Sequence, residues 1–256
     1  MKDEDLKNTE LVDIRSGLTQ KGKVRTAVLL GHKKGKVGEV ITDLGNSVLQ
    51  ANPSAFWIYL DSAKTATPYD WCSQFARNLR TNAGVPLASL AKFALTTGKS
   101  LSPFKQVENV DPPEPSAGTA IAGELVKNFE TLTQAGPNGS SPPHLVLAIK
   151  NFSDYSDEML AWLSDSLNQV FRESKFFKGC RFVFSTQQIS DREKSFFNSF
   201  GFEKVNLVEV EPVKVPKSKV TSKDVDETKD LIHSPKSTKD SSTNLPLPKS
   251  LKKNDL

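Results

Sequence analysis

A chain of 256 residues with 37% hydrophobic side chains is long enough to bury a sizeable core, and its formal net charge is +4. Residues 212–256 hold ten lysines against six acidic residues, so the whole excess of positive charge lies there and the remainder is neutral. This distribution argues against a basic globular face that follows a nucleic-acid backbone. The sequence has no apolar run of ~20 residues and no apolar signal region near its start, which predicts a soluble, cytoplasmic protein without a membrane anchor.

The hydrophobic pattern predicts strands and helices that alternate along the chain. Continuous apolar or β-branched runs predict five strands, at residues 25–30, 55–63, 144–149, 180–186 and 205–211. Helical periodicity lies between them, over residues 38–50, 67–82, 86–97, 119–134, 156–174 and about 190–200. Strands that alternate with helices in this way predict a three-layer α/β fold, in which a parallel β-sheet of about five strands is flanked by helices.

Composition divides the chain into three parts. Residues 1–20 are polar with one weakly helical piece, and we expect an N-terminal extension there. Residues 21–212 hold the predicted strands and form the expected α/β domain. Residues 213–256 are rich in Lys, Ser and Pro with few apolar side chains, which predicts a disordered tail. Cys72 and Cys180 lack the spacing of a metal-ligand pair, so we expect two reduced, buried thiols.

The segment GHKKGKVGEV follows the first predicted strand and looks like an altered phosphate-binding loop. In a working loop, GxxxxGK[ST], backbone N–H groups and the lysine hold phosphate, and the hydroxyl binds Mg²⁺. Gly31 fits the first position, but only three residues separate it from Gly35 and Lys36, and Val37 occupies the position of the hydroxyl. In the alternative register Gly38 is the close-approach glycine, and a glutamate then replaces the lysine. Both registers lack a ligand for Mg²⁺, so we expect no metal at this loop.

What remains of the loop is positively charged. Three lysines and three glycines surround the expected helix N-terminus, an arrangement that can bind an anion without hydrolysing it. A glycine-rich connection with solvated lysines is an equally supported alternative. The residues predicted to contact a nucleotide here are Gly31, Lys33, Lys34, Gly35, Lys36, Val37 and Gly38.

Ligands of parallel α/β sheets bind beyond the carboxyl ends of the strands, and Asp61 lies at one such end, after the strand AFWIYL. Two further strand ends complete the predicted site. Lys150 and Asn151 follow the most apolar strand of the chain, HLVLAI. We interpret Lys150 as a possible substitute cation beside a phosphate group. Thr186, or its neighbour Gln187, ends the strand RFVFST and is the candidate polar group for sensing a γ-phosphate.

The order of these parts resembles the P-loop ATPase domains of the STAND and origin-recognition AAA type, over roughly residues 20–212. The segments that carry the resemblance are the glycine loop, YLDSA, WCSQFARNLRTNAGVP, LVLAIKNFSDYSDEMLAWLSDSLN, and RFVFSTQ followed by VNLVEVEP. ATPases of the additional-strand class end the strand that LVLAI represents with an acidic pair, which serves Mg²⁺ and the attacking water. Lys150 and Asn151 stand in place of that pair, and neither can perform its chemistry. The resemblance therefore implies the fold and nucleotide-gated assembly, but not hydrolysis.

The predicted function is that of a pseudo-ATPase, a degenerate nucleotide-binding module that regulates or assembles a complex with weak or no hydrolysis. Its expected cofactor is ATP or ADP without Mg²⁺, and we expect no catalytic residue and no metal site. The alternative is a protein–protein interaction scaffold that keeps the ATPase fold and binds no nucleotide. We expect a protein partner in both cases, with the tail segment NLPLPKSL as a candidate contact. Only the lysines of the tail and the loop support nucleic-acid binding.

Overall fold

The computed structural model describes residues 1, 6–19, 25–31, 36–82, 85–105, 115–134, 144–174 and 180–210. These residues form a seven-stranded sheet with helices on both faces. The strands are β1 (Leu6–Asn8), β2 (Thr26–Leu30), β3 (Ala55–Asp61), β4 (Arg80–Thr81), β5 (His144–Lys150), β6 (Arg181–Thr186) and β7 (Val205–Glu209). The helices are α1 (Leu11–Thr19), α2 (Val37–Ala51), α3 (Pro68–Asn78), α4 (Leu87–Leu101), α5 (Pro115–Gln134), α6 (Asp157–Trp162), α7 (Asn168–Glu173) and α8 (Asp191–Phe200). A π-helical turn, Leu163–Leu167, joins α6 to α7, and short 3₁₀ turns lie at Ser62–Lys64, Ser102–Lys105 and Phe152–Asp154.

The strand order is β1-β7-β2-β6-β5-β3-β4, and every neighbouring pair is parallel except β3 with β4. The five predicted strands correspond to β2, β3, β5, β6 and β7, so the predicted three-layer α/β fold with a parallel sheet is confirmed. β3 and β5 pair over their whole length, from Ala55 opposite His144 to Asp61 opposite Lys150. Because these strands run in one direction, their carboxyl ends lie along one edge of the sheet.

Both faces of the sheet are buried, as the continuous apolar runs predict. Side chains alternate along β3, so Trp57 joins the core formed with α1 and α2, whereas Phe56 and Ile58 join the core formed with the later helices. The first core packs α2 directly against the sheet, since Ile41 and Leu44 are fully buried there. This packing fixes where α2 begins relative to the carboxyl edge.

Two short strands at the sheet edges, β1 and β4, are absent from the sequence-based prediction. β1 pairs in parallel with β7, from Leu6 opposite Val205 to Asn8 opposite Leu207. The next element, α1, buries Ile14 and places it in the core against α2. Both elements lie within residues 1–20, so the segment expected to be a polar extension contributes a strand to the sheet and a helix to the core. A three-residue strand is too short to show an alternating apolar pattern, which is why the sequence does not reveal it.

Helix α3 ends at Asn78, four residues before the predicted end at 82, because the chain then becomes an edge strand. Arg80 and Thr81 pair antiparallel with the start of β3, and the Thr81 hydroxyl donates to the carbonyl oxygen of Ala55 over 2.8 Å. Backbone groups at a sheet edge need hydrogen-bond partners, and this need outweighs the helical pattern of the local sequence.

Helices α4 and α5 are both longer than predicted. α4 continues beyond residue 97 to Leu101, because both Thr97 and Leu101 are fully buried on the side that faces the core. α5 begins at Pro115 instead of 119, and proline is compatible with the first turn of a helix. The helix boundaries therefore follow burial more closely than local sequence pattern.

Cys72 and Cys180 are both buried and form no disulfide with each other, in agreement with the prediction of reduced, buried thiols. Burial raises the pKa of the Cys180 thiol, although Arg181 and its backbone act in the opposite direction. This thiol therefore stays protonated at neutral pH and is a poor nucleophile.

Predictions about the tail lie outside the described residues, which end at residue 210. The expected disorder of residues 213–256 and the partner contact at NLPLPKSL stay predictions. Among the helices that the structure does describe, none combines the length and the apolar character needed to cross a membrane.

His144, at the start of β5, is expected to make stability depend on pH. Burial lowers its pKa, a hydrogen bond of 2.7 Å from Nε2 to the carbonyl oxygen of Leu18 opposes this, and the charge of Arg181 lowers it further. A group whose pKa is lower in the folded state stabilises the fold above its unfolded pKa, about 6.5 for histidine, and loses that contribution as pH falls toward its folded pKa. Urea unfolding at neutral pH and at about pH 5 should show a larger loss of stability for the wild type than for His144→Gln. Equal losses in the two proteins would contradict this assignment.

Candidate functional site

Polar side chains and a glycine collect along the carboxyl edge of the parallel strands. Gly31 follows β2, while Asp61, Lys150 and Thr186 end β3, β5 and β6. In the strand order, β6 separates β2 from β5, and β3 lies on the far side of β5. The fold thus brings four of the strand ends considered in the sequence to one edge, in the order Gly31, Thr186, Lys150, Asp61.

Gly31 lies in a position that leaves no room for a side chain. A Cβ atom there would overlap with Cγ2 of Val37 and lie 3.4 Å from Cβ of Val210. The N–H of Gly31 donates to the carbonyl oxygen of Thr186 over 3.1 Å, which continues the ladder between β2 and β6. Close packing therefore explains this glycine, and its N–H is engaged within the sheet.

The first residues of α2 match the expected helix start after the loop. Lys36 is the exposed N-cap residue, and its own side chain forms no capping hydrogen bond with the helix. Val37, in the hydroxyl position of the loop pattern, is buried against Gly31, whereas a Cβ at Gly38 would meet nothing within 4 Å. Lys33, Lys34 and Gly35 lie outside the described residues, so their contacts with a nucleotide stay predictions.

Lys150 is held by an ion pair with Asp61 across the neighbouring strands. Its Nζ lies 3.2 Å from Oδ2 of Asp61, and both side chains are partly exposed. Burial would lower the pKa of Lys150, but the Tyr59 phenol and the hydrogen bond and charge of Asp61 outweigh it, so the pKa lies above its ordinary value. The lysine therefore stays charged, and Asp61 neutralises it.

Asn151 forms the turn that follows β5. Its backbone lies in the left-handed region, with φ of 53° and ψ of 45°, a conformation that asparagine tolerates better than most residues. Its N–H donates to Oγ of Ser185 on β6 over 3.0 Å. This geometry gives Asn151 a role in shaping the turn, independent of any ligand.

Thr186 ends β6 and is buried. Its hydroxyl donates to the carbonyl oxygen of Gln188 over 2.9 Å, and its own carbonyl accepts the N–H of Gly31. Gln187, the other candidate sensor, is exposed. A phosphate-sensing role for Thr186 would require its hydroxyl to exchange its present partner.

The residues present do not fit a Mg²⁺ ion in the manner of an ATPase. Val37 offers no oxygen and is buried, and Lys150 brings a positive charge to the strand end where a carboxylate would be needed. Asp61, the carboxylate at the end of the neighbouring strand β3, is already paired with that lysine. A phosphate group fits better, because the N-terminus of α2, where Lys36 provides no side-chain cap, and the Lys36 ammonium both favour an anion.

The ion pair between Asp61 and Lys150 was not predicted from the sequence, although both residues stood among the strand ends. The missing information was strand order, since β3 and β5 are separated by more than 80 residues in sequence and yet pair in register. A second omission is the group of cations near the outer edge of β3. Arg80 was assigned to a helix, so its place beside β3 became visible only with β4 in the structure.

Comparisons with known proteins find similarity to this chain among solved structures alone. No protein-family model matches the sequence, and no curated protein is significantly similar to it. A chain in a structure of the Drosophila ORC bound to poly(dA/dT) DNA and Cdc6 is similar to this chain, with a TM-score of 0.43 and 15% sequence identity. A chain in a structure of the Drosophila ORC bound to AT-rich DNA and Cdc6 is similar with a TM-score of 0.36 and 12% identity.

The two matches cover 79% and 77% of this chain, but only 28% and 50% of the Drosophila chains. This chain therefore spans half or less of the length of those solved chains. The fold class itself, a three-layer α/β domain with a mostly parallel sheet, follows from the strand order and pairing described above.

Proposed function

We propose that this chain is a P-loop ATPase-like module that does not hydrolyse nucleotide and that regulates or assembles a complex. One observation carries the proposal: a lysine paired with Asp61 occupies the strand end where an ATPase needs an acid. A cation there can neither ligate Mg²⁺ nor accept a proton from water. The position of β6 between β2 and β5 also suits the additional-strand class of ATPases. The strand order therefore fits this class, although the acid needed for hydrolysis does not end β5.

The ligand we propose is ATP or ADP, held by its phosphates without Mg²⁺. Support comes from the N-terminus of α2 at the carboxyl edge and from exposed Lys36, whose side chain does not cap that helix. Lys33 and Lys34 of the same loop add positive charge in the sequence. Since Asp61 is already paired with Lys150, binding would serve to change the shape or the contacts of the module, and a protein partner is the natural recipient of that change.

A second candidate function is a scaffold that binds no nucleotide. The N–H of Gly31 and the hydroxyl of Thr186 favour it, because both already have partners within the protein. Val37 favours it as well, because its buried side chain packs over Gly31. In a scaffold, the glycine loop would be a connection with solvated lysines.

Thermal and urea unfolding with ATP, ADP and GTP separates the two candidates. If the module binds nucleotide, saturation at about 100 times Kd should raise the free energy of unfolding by about 2.7 kcal/mol. The increase should be the same in Mg²⁺ and in EDTA. Lys36→Ala should reduce the increase, whereas Lys92→Ala, which removes an exposed lysine from α4, should leave it unchanged.

Two further results of this experiment would argue against the nucleotide-binding module. No change in unfolding with any nucleotide at millimolar concentration would favour the scaffold. Steady Mg²⁺-dependent turnover that disappears in Lys36→Ala would contradict both candidates and indicate an active ATPase with ligands supplied from elsewhere.

A further inference from the structure

A polar cleft of about 440 Å³ lies at the outer edge of β3, beyond the end of β4. β4 pairs with Phe56 and Trp57, and among the residues that the structure describes no strand lies beside the last part of β3 on that side. The last two turns of α3 and the turn at Ser62–Lys64 form the other walls of the cleft. Its volume lies in the range of small-molecule sites, which is about 300–1,000 Å³.

Three cations converge on this cleft: Lys64, Arg77 and Arg80. All three are exposed, and none forms an ion pair with another residue in the part of the chain that the structure describes. The acid in the wall is Asp61, whose charge is already balanced by Lys150 at 3.2 Å. Within the described part of the chain, these three cations therefore have no acid paired with them, and like charges around one concave space favour a bound anion.

The uncharged groups in the wall are hydrogen-bond donors. Gln74 contributes a side-chain amide from α3, one turn before Asn78, whose Nδ2 donates to the carbonyl oxygen of Tyr59 over 2.8 Å and retains a second N–H. Burial raises the pKa of the Tyr59 phenol, Lys150 opposes this and Asp61 adds to it, so the phenol stays protonated and can donate. Apart from the Tyr59 ring, this wall has no large apolar side chain, which disfavours an apolar ligand.

We propose that this cleft binds a phosphate monoester. The two guanidinium groups can each form paired hydrogen bonds with phosphate oxygens, Lys64 adds a point charge, and the amides and the phenol can satisfy the remaining oxygen lone pairs. Arg77 lies in the last turn of α3, where the helix dipole favours a cation in any case. Its position alone would therefore not indicate a bound ligand. The convergence of cations from three different elements carries the proposal.

This site is separate from the nucleotide site proposed at the start of α2. Two strands, β6 and β5, lie between β2 and β3, so three strand spacings of about 4.8 Å put the two strands roughly 14 Å apart. The proposal therefore stands whether or not the loop after β2 binds nucleotide. A bounded cleft on a domain without net positive charge also favours a single phosphate group over a nucleic-acid backbone, which is bound through an extended basic surface.

An NMR titration of the ¹⁵N-labelled full chain tests the proposal, with the guanidinium signals of Arg77 and Arg80 as the local readout. The titrants are inorganic phosphate, a phosphoserine tripeptide flanked by glycines, its unphosphorylated twin, and a short DNA duplex. We expect phosphate and the phosphopeptide to shift these signals and the twin to leave them unchanged. Binding of inorganic phosphate alone would assign the site to small phosphorylated molecules, and binding of both would include phosphorylated protein segments.

Matched variants separate a built site from general charge attraction. Arg77→Gln combined with Arg80→Gln should weaken phosphate binding by about tenfold or more, since two charge-assisted contacts are lost. Lys92→Gln combined with Lys99→Gln removes the same charge from exposed positions on α4 and should change the affinity by less than about twofold. Arg80→Gln alone serves as a milder variant if the double variant is unstable. Lys36→Ala should bind phosphate in this cleft as the wild type does, which keeps the result independent of the nucleotide site.

Four results would overturn the proposal. These are no shift at about 10 mM phosphate or phosphopeptide, equal shifts with the unphosphorylated twin, and equal weakening in the α4 control. The fourth is binding of the DNA duplex without binding of either phosphate monoester, which would indicate a nucleic-acid surface instead.

Discussion

Replacing Phe152 with alanine is expected to lower the free energy of unfolding by about 3–5 kcal/mol. Phe152 follows the turn at Asn151 and is fully buried. Its ring lies between 4.7 and 6.1 Å, centroid to centroid, from the rings of Tyr155, Phe184, Phe196 and Phe197. Truncation removes these contacts and leaves a cavity between the end of β5, β6 and α8, which rigid neighbouring rings cannot fill.

Urea denaturation followed by circular dichroism measures this loss. Phe152→Leu keeps most of the buried volume and should cost less than Phe152→Ala. Leu87→Ala is the control, because Leu87 is 83% exposed on α4 and its truncation should change stability by no more than about 0.5 kcal/mol. A loss below about 1 kcal/mol for Phe152→Ala would show that this aromatic cluster does not hold the end of β5 in place.

The second large effect is expected at Gly45, in the middle of α2. A Cβ atom there would lie 2.5 Å from Cε2 and 2.7 Å from Nε1 of Trp57, whose side chain is 1% exposed. Gly45→Ala is therefore expected to lower the free energy of unfolding by about 1–3 kcal/mol, because α2 must move away from the sheet. This is the net change, so the cost of displacing α2 has to exceed the gain of about 1 kcal/mol that alanine normally brings to a helix interior.

Gly123→Ala in α5 is the matched control for this prediction. A Cβ at Gly123 meets nothing within 4 Å, so the same substitution should raise the free energy of unfolding by about 0.5–1 kcal/mol. Combining Gly45→Ala with Trp57→Phe should recover part of the loss, and a double-mutant cycle measures that coupling. If both glycine substitutions change stability in the same direction, close packing of α2 on Trp57 is not the reason for Gly45.

The strands that could be predicted are those whose burial is evident from a continuous apolar run in the local sequence. TAVLL and HLVLAI are continuous apolar runs because both faces of β2 and β5 are covered, and such runs leave few alternatives to a central parallel strand. The edge strands could not be predicted in the same way. β1 has three residues and β4 has two, and both exist because a neighbouring strand offers unpaired backbone groups.

In the candidate site, too, some features follow from the local sequence and others depend on the arrangement of the sheet. The spacing in GHKKGKVGEV and the residues Lys150 and Asn151 already argued against Mg²⁺ chemistry, since the required hydroxyl and acids are absent from the sequence itself. The sequence did not indicate that Asp61 would neutralise Lys150, or that the backbone N–H of Asn151 would donate a hydrogen bond to the Ser185 hydroxyl. Those contacts depend on which strands are neighbours, a property of the whole sheet.

By itself, the sequence determined the class of fold and the identity of the side chains at the loop and at the strand ends, because burial periodicity and the chemistry of side chains are local properties. Only the tertiary structure decided which charges meet. It paired Asp61 with Lys150, and it gathered Lys64, Arg77 and Arg80 around one cleft. The physical reason is that electrostatic interactions depend on distance in space, and distance between residues far apart in sequence is set by strand order and helix packing.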